Sequence, residues 1–260
     1  MSFEIISFDL WNTIVYVKKP PNLSFKQEFY LVWKSTKDVS NLFSFNEFID
    51  LFHKFSVNNS TLNNSELKEI TMDKLFLAIF SELNPQDIVA NQKYSDLLVK
   101  AFFNNLLEHT QVFPTIPSLL QDLKEHNFIL TLISDHDWPP NGYDLLNKFS
   151  LSGFFDNIAF SGEVGFQKPH HLMFETAIKD FNLSSRDHLL HIGDDYYRDV
   201  LGVIKFGGKA IWLDFWSEEM YKEKGYQNPK NFPLHPSIVA KFAKIDELSL
   251  NQFLKLLPQK

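Results

Sequence analysis

Cysteine is absent from the 260 residues. That excludes disulfides, thiolate metal sites and cysteine nucleophiles. An excess of positive charge is absent too: 25 Lys and Arg stand against 32 Asp and Glu, a net charge of −7. This argues against broad nucleic-acid binding, which calls for a basic face. No apolar run approaches the ~20 residues that span a membrane. The opening Met-Ser-Phe-Glu lacks the basic start and apolar core of a signal peptide. The expectation is a cytoplasmic protein with neither nucleic acid nor membrane as partner. Glycine is scarce at 9 copies, against 27 Phe, which read as core filler. A chain of this length makes one large domain or two small ones. Nothing in it fixes the oligomeric state.

What is present falls into two patterns. Residues 3–8 read as a short buried strand. From about residue 22 the periodicity turns helical, with Phe25, Phe29, Val32 and Trp33 on one face. Ser44-Phe45-Asn46-Glu47 has the form of a capping box, followed by Phe48, Ile49, Phe52 and Phe55. Two further helical stretches, 65–83 and 86–108, are separated by Asn84-Pro85. Residues 15–110 thus read as a bundle of about four helices. Beyond Pro114, short apolar runs at 128–133, 158–160, 189–192 and 210–213 alternate with helical patterns at 116–125, 143–149, 169–181 and 197–206. That alternation marks a parallel sheet wrapped by helices. After a loop rich in Pro, Asn and Lys, 243–245 reads as a short strand and 248–257 as a helix. The first strand is too short to stand alone and is expected to join the later sheet.

In an open parallel sheet, ligands bind beyond the carboxyl ends of the strands. Here each strand ends in a polar group. Asp9 ends the first, Ser134-Asp135 the second, and Ser161-Gly162-Glu163 with Lys168-Pro169 follows the third. Gly193-Asp194-Asp195, with Asp199 close behind, ends the fourth. Each has an ordinary reading: Ser-Asp as a helix cap, Lys168 as a solvated lysine before a helix-opening Pro169, Gly-Asp-Asp as a turn. Together they would crowd carboxylates on one rim, and these repel unless something positive sits among them. A hard cation fits. Mg²⁺ takes a few carboxylate oxygens and commonly bridges to phosphate. Asp9 and Asp194 would ligate it, with Asp195 or Asp199 in support. Lys168 and Ser134 would bind anionic oxygens. Asp9 is best placed to attack phosphorus, since carboxylates form aspartyl-phosphates.

Four segments, "FDLWNT", "LTLISD", "SGEVGFQKPHHLMFETAI" and "HIGDDYYRDVLGV", taken in this order, resemble the haloacid dehalogenase superfamily, of the type with a helical cap inserted after the first strand. The resemblance covers about residues 3–14 and 111–214. It implies an α/β fold: a doubly wound, Rossmann-like parallel sheet core (1–14 and 111–260) with an inserted helical-bundle cap (15–110). It implies Asp9 as nucleophile and Ser134 and Lys168 as phosphoryl-binding groups. Mg²⁺ would be held by Asp9, Asp194 and the backbone oxygen of Trp11, with Asp195 and Asp199 completing the acidic site. Thr13 would support the loop after the nucleophile. The implied substrate is a small phosphorylated metabolite.

One position departs from that pattern. Phosphatases of the family usually carry Asp two residues after the nucleophile, to protonate the leaving alkoxide and then activate water. Here the residue is Trp11, which cannot exchange a proton near neutral pH. A positioned acid or base contributes about 10²–10⁴-fold in rate. His136, Asp137 and His53 are the substitutes to examine; an acyl or aryl phosphate would need none. Two other functions stay open: a 2-haloacid dehalogenase, whose halide leaves unprotonated but whose fourth motif is less acidic, and a catalytically impaired protein that binds a ligand or a protein partner.

Overall fold

Ile5, Ile6, Ser7 and Phe8 are all fully buried. A strand can bury consecutive residues only when helices cover both of its faces. The computed structural model places this strand, β1 (Ile5–Phe8), in the middle of a parallel sheet. The structure describes residues 3–18, 24–59 and 66–256. The sequence pattern at 22–23 and at 65, the side chain of Phe25, and residues 1–2 and 257–260 lie outside the described residues.

In chain order, β1 is followed by β2 (Val15–Val17) and helices α1 (Phe25–Ser35), α2 (Lys37–Ser40), α3 (Phe45–Asn59), α4 (Met72–Leu83) and α5 (Ile88–His109). Then come β3 (Thr110–Val112), α6 (Ile116–Glu125), β4 (Ile129–Ser134), α7 (Pro139–Lys148), β5 (Asn157–Phe160), α8 (Ser161–Val164) and α9 (His171–Ile178). The chain ends with β6 (Leu189–Gly193), α10 (Leu201–Phe206), β7 (Lys209–Leu213), α11 (Glu218–Glu223), β8 (Ile238–Phe242) and α12 (Leu250–Leu256). The six-stranded sheet has the order β5-β4-β1-β6-β7-β8, every pair parallel. The order reverses between β1 and β6, the switch point where such sheets bind ligands.

Side chains alternate across the sheet, so the two faces have separate cores. Ile6, Phe8, Leu132 and Ile192 pack with Leu120 of α6, Leu146 of α7 and Phe253 of α12. Ile5, Ile133 and Leu189 pack with Phe174 of α9, Val203 of α10 and Tyr221 of α11. Helices on both faces make the sheet doubly wound. Helices α1–α5 carry a third core, with Phe29, Trp33, Phe48, Phe76, Phe80 and Leu98 buried. Ser24 starts α1 in a capping box with Gln27, and α3 starts at Phe45, one residue after Ser44.

Several boundaries differ from the sequence pattern. The last strand is 238–242 and not 243–245. It is an edge strand whose residues are mostly half-exposed and whose Lys241 faces solvent, so its apolar signal is weak. Ile245 instead plugs the core from a 3₁₀ turn. Helix α4 begins at Met72 and not at 65, because 66–70 runs alongside the segment before Lys168. Gln167 N–H donates to Leu67 O (2.7 Å) and Glu69 N–H to Gly165 O (2.9 Å). The run 197–206 is π-wound at Tyr196–Val200 before turning α-helical. The antiparallel pair β2–β3, unexpected from sequence, brings the two ends of the helical segment together.

Phe76 is fully buried and its ring lies 5.4 Å from Phe48 and 5.9 Å from Phe29. Truncating a buried Phe costs both transfer energy and a cavity. Phe76→Ala should lower stability by about 3–5 kcal/mol, read as a shift of the urea midpoint. A change within ±0.5 kcal/mol would remove Phe76 from the core of the helical layer.

Candidate active site

The carboxyl ends of β1 and β6 lie side by side, with Phe8 paired to Ile192. Asp9 and Asp194 therefore emerge next to each other, and Asp9 N–H donates to Ile192 O at 2.9 Å. Asp9, Asp194 and Asp199 each bring a carboxylate oxygen within 4.8 Å of the others, all buried. Asp199 is turned inward from the π-wound segment. A Cβ at Gly193 would overlap its carboxyl group, so the glycine is what lets Asp199 approach the strand end.

Lys168 supplies the charge that makes this cluster tenable. Its Nζ donates to Asp9 Oδ1 (2.6 Å), Asp199 Oδ1 (2.5 Å) and Ile133 O (3.1 Å), using all three of its donors. The Asp135 carboxylate accepts from Lys168 N–H at 2.7 Å and fixes the loop. Burial alone would lower the Lys168 pKa, but Asp199 and Asp9 hold it above its ordinary value. Burial would raise Asp199, yet Lys168 and a hydrogen bond from His191 hold it well below the usual carboxylate range. Asp9 goes the other way: burial pushes it well up, Lys168 opposes, and Asp199 and Asp194 add to the rise. Burial likewise pushes Asp194 up to about 7, helped by Asp199.

A second layer of bonds orients these acids. His191 Nε2 lies 3.3 Å from Asp199 Oδ1 and its Nδ1 2.8 Å from Ser7 Oγ. A carboxylate only accepts, so Nε2 carries the proton and Nδ1 accepts from Ser7. Trp216 Nε1–H donates to Asp194 Oδ2 at 2.7 Å, and Asn12 Nδ2 at 3.4 Å. Asn12 has φ +58, a left-handed conformation that Asn tolerates better than most residues. Asp195 is occupied differently. Its Oδ1 accepts from Tyr197 and Arg198 N–H, both at 3.0 Å, while Arg198 also binds Asp135 at 2.8 Å.

Of the residues expected from sequence, Asp9, Lys168, Asp194 and Asp199 thus converge, and Asp195 caps a helical turn beside them. Ser134 ends β4 with its buried hydroxyl lacking a hydrogen-bond partner. Thr13 is buried with its hydroxyl in the same condition. The turn after Asp9 closes on Leu10 O, which accepts from Ile14 and Val15 N–H at 2.8 and 2.9 Å. The donor set fits a hard divalent cation: three buried carboxylates share one ammonium, so negative charge is in excess, and the ligand atoms are all oxygen.

Trp11 is half-buried, its ring centroid 5.8 Å from that of His136. It borders a cavity of about 250 Å³ between the sheet rim and the helical layer. Met72, Phe102, Phe103 and Leu106 line it together with Glu69, Asp135, His136, Asp137, Gln167 and Arg198. Burial lowers His136 to about 4, leaving a neutral ring at neutral pH. Burial raises Asp137 to about 7, with Glu69 and Asp73 contributing. His53 is exposed on α3. Sequence reading missed Trp216, His191 and Arg198. Only His191 carried a signal, as a polar residue inside an apolar strand run.

A family model described as haloacid dehalogenase-like hydrolase matches residues 40–213, more than half of the chain. The glyceraldehyde 3-phosphate phosphatase of Pyrococcus furiosus is 24% identical over 212 residues, 82% of this chain and 81% of that one. Among solved structures, a putative hydrolase of the same family from Bacillus subtilis, YfnB, bound to magnesium, has a TM-score of 0.58 at 19% identity, covering 97% of this chain and 100% of that one. A 2-haloacid dehalogenase from Pseudomonas syringae pv. Tomato DC3000 has a TM-score of 0.65 at 15% identity, covering 98% and 97%.

Removing the ammonium leaves Asp9 and Asp199 buried without compensation. Lys168→Met should cost about 3–5 kcal/mol at pH 8 in EDTA. The sign with pH follows from Asp199. Its folded pKa is depressed, so its stabilising contribution is present above the ordinary carboxylate value of 3.8 and lost as pH falls through the lower folded pKa. Between pH 8 and pH 4 the wild-type contribution is thus nearly constant. Without Lys168, burial raises the Asp199 and Asp9 carboxyls, which take up protons as pH falls, so the deficit should shrink from pH 8 to pH 4. Urea melts at both pH values test this; a deficit independent of pH would contradict the charge assignment.

Proposed function

The chain belongs to the haloacid dehalogenase-like hydrolase family, and on that premise we propose that it is a Mg²⁺-dependent phosphatase of small phosphorylated metabolites, working through an aspartyl-phosphate. The observation that carries this reading is the buried Lys168 bridging Asp9 and Asp199, with Asp194 alongside, at the switch point of the sheet. The phosphatase resemblance and the magnesium-bound structural relative support it.

In this reading Lys168 fixes Asp9 through Oδ1, and the free oxygen attacks phosphorus. Ser134 turns its unpartnered hydroxyl onto a phosphoryl oxygen, and Thr13 braces the loop. Asp9, Asp194 and the Trp11 carbonyl oxygen would hold the metal; Asp199 and Asp195 keep Lys168 and Arg198 in place around them. When bound, Mg²⁺ offsets the charge of the phosphoryl group as negative charge gathers in the transition state. Residues 15–110 form a cap and 1–14 with 111–260 the core, so that the cap closes over the rim and excludes water.

Trp11 favours one second reading, a catalytically impaired member that binds a phosphorylated ligand without turning it over. The two separate in one experiment. A panel of acetyl, aryl and sugar phosphates is assayed for released phosphate with Mg²⁺ and with EDTA. We expect Mg²⁺-dependent release that Asp9→Asn abolishes while the circular dichroism spectrum and melting temperature persist. Unchanged activity of Asp9→Asn would sink the nucleophile assignment. Binding without release across the panel favours the impaired reading, and halide release from 2-haloacids indifferent to EDTA would identify a dehalogenase.

A further inference from the structure

Residues 67–72 of the helical segment are bonded to two loops at the sheet rim. Gln167 N–H donates to Leu67 O at 2.7 Å and Glu69 N–H to Gly165 O at 2.9 Å, with Lys68 and Phe166 opposite each other in an antiparallel bridge. Met72 N–H donates to Asp137 O at 3.3 Å. One of these loops, 161–168, ends in Lys168; the other, 135–137, follows Ser134. The two side chains assigned to the phosphoryl group thus stand on the two loops that this strap touches.

One side chain of the strap joins both loops. Glu69 Oε2 accepts from Ser161 Oγ at 2.5 Å, and Glu69 Oε1 from Gln167 Nε2 at 3.0 Å. Ser161 Oγ in turn accepts from His136 N–H at 2.8 Å, and His136 O from Gly162 N–H at 3.1 Å. Gln167 is the chain neighbour of Lys168, and His136 follows Ser134 by two positions. Glu69 is half-buried, and Ser161, Gln167 and the Ile70 N–H that donate to it are all neutral. Hydrogen bonds to an ionised acceptor are roughly twice as strong as neutral ones, so a single carboxylate can fix both loops at once. The site needs that precision. Lys168 Nζ meets Asp9 at 2.6 Å and Asp199 at 2.5 Å, and a shift of about 1 Å would take both contacts to the limit of hydrogen-bond length.

We propose that Glu69 is a positioning residue for the phosphoryl site: it sets Lys168 through Gln167 and the loop after Ser134 through Ser161. The proposal rests on the phosphatase reading above. It makes the helical segment part of the assembly of the site as well as its cover.

The test uses Glu69→Gln, Glu69→Ala, Gln167→Ala, the pair Ser161→Ala/Gln167→Ala, and that pair combined with Glu69→Ala, each checked for a cooperative melt. With acetyl phosphate and Mg²⁺, Glu69→Ala should lower kcat by about 100-fold, the scale on which an ångström of misplacement costs rate. Glu69→Gln should keep most of the rate, because its amide can still accept from Gln167 and donate to Ser161. Adding Glu69→Ala to the pair should cost little beyond the pair alone, since residues that act through one another are not additive. Gln167→Ala alone should also lower kcat. Amide hydrogen exchange reads the same contacts without turnover. In Glu69→Ala the Gln167 and Lys168 amides should exchange about tenfold faster, the equivalent of one lost hydrogen bond, while those of β1 and β6 keep their protection. Full kcat in Glu69→Ala or Gln167→Ala, a loss that adds in full to that of the pair, or unchanged exchange at 167–168 overturns the proposal and leaves the phosphatase reading intact. Release of phosphate from no substrate by the wild-type protein overturns both.

Discussion

The site depends on one ammonium group. Lys168 Nζ sits out of water among carboxylates from two strand ends, and each of its hydrogens is committed. An ammonium at that depth is tenable only with anionic partners, and the carboxylates only with the ammonium. The bond therefore ties together β1 through Asp9, β4 through Ile133 O, and the turn after β6 through Asp199. Parallel strand order makes this possible by bringing β1 and β6, whose paired residues Ser7 and His191 are 184 positions apart, into contact. The sheet core and the charge cluster are mutually dependent for this reason.

Environment then sorts four aspartates into different tasks, as carboxylates in one site commonly are. Asp199 is saturated by Lys168, His191 and the Asp195 N–H, so it stays ionised and structural. Asp195 caps the π-wound turn. Asp9 and Asp194 keep oxygens without such commitments and sit in surroundings that raise their pKa values. These are the two carboxylates that a shared cation would relieve most, since a metal replaces the missing positive charge. Trp216 holds the other oxygen of Asp194, which leaves its orientation defined before any metal arrives.

The strands and their polar ends were legible in the sequence because each apolar run stops abruptly at Asp9, Ser134 or Asp194. The helical segment was legible from its Phe periodicity, although its small α2 and the β2–β3 closure were not. Three-residue half-buried strands leave no periodic trace. The allocation of hydrogen bonds was not legible either. Four carboxylates in a sequence look equivalent, and only the approach of Asp199 over Gly193 shows that it joins Asp9 in answering Lys168. Trp216 reaches Asp194 from 22 positions away, and the cavity wall of α4 and α5 meets the sheet rim through contacts between separate elements such as Phe103 and His136, which no local pattern encodes. Residues 66–70 read as helix because their polarity fits one, yet pairing with 165–167 satisfies their backbone instead.

Trp11 changes two things at one position without touching a third. Its main-chain oxygen does not depend on residue type, and the turn closes on Leu10 O instead, so the proposed metal ligand at that atom would be unaffected by the side chain. Its side chain has no proton to give at neutral pH, so a proton for any leaving group would have to come from another residue. The ring meanwhile lies 5.8 Å from that of His136 and borders a cavity of mixed lining, where Phe102, Phe103 and Leu106 stand with Asp135, Asp137 and Arg198. One position thus separates two tasks: its backbone can serve a cation whatever its side chain is, while its side chain only shapes the space beside the rim.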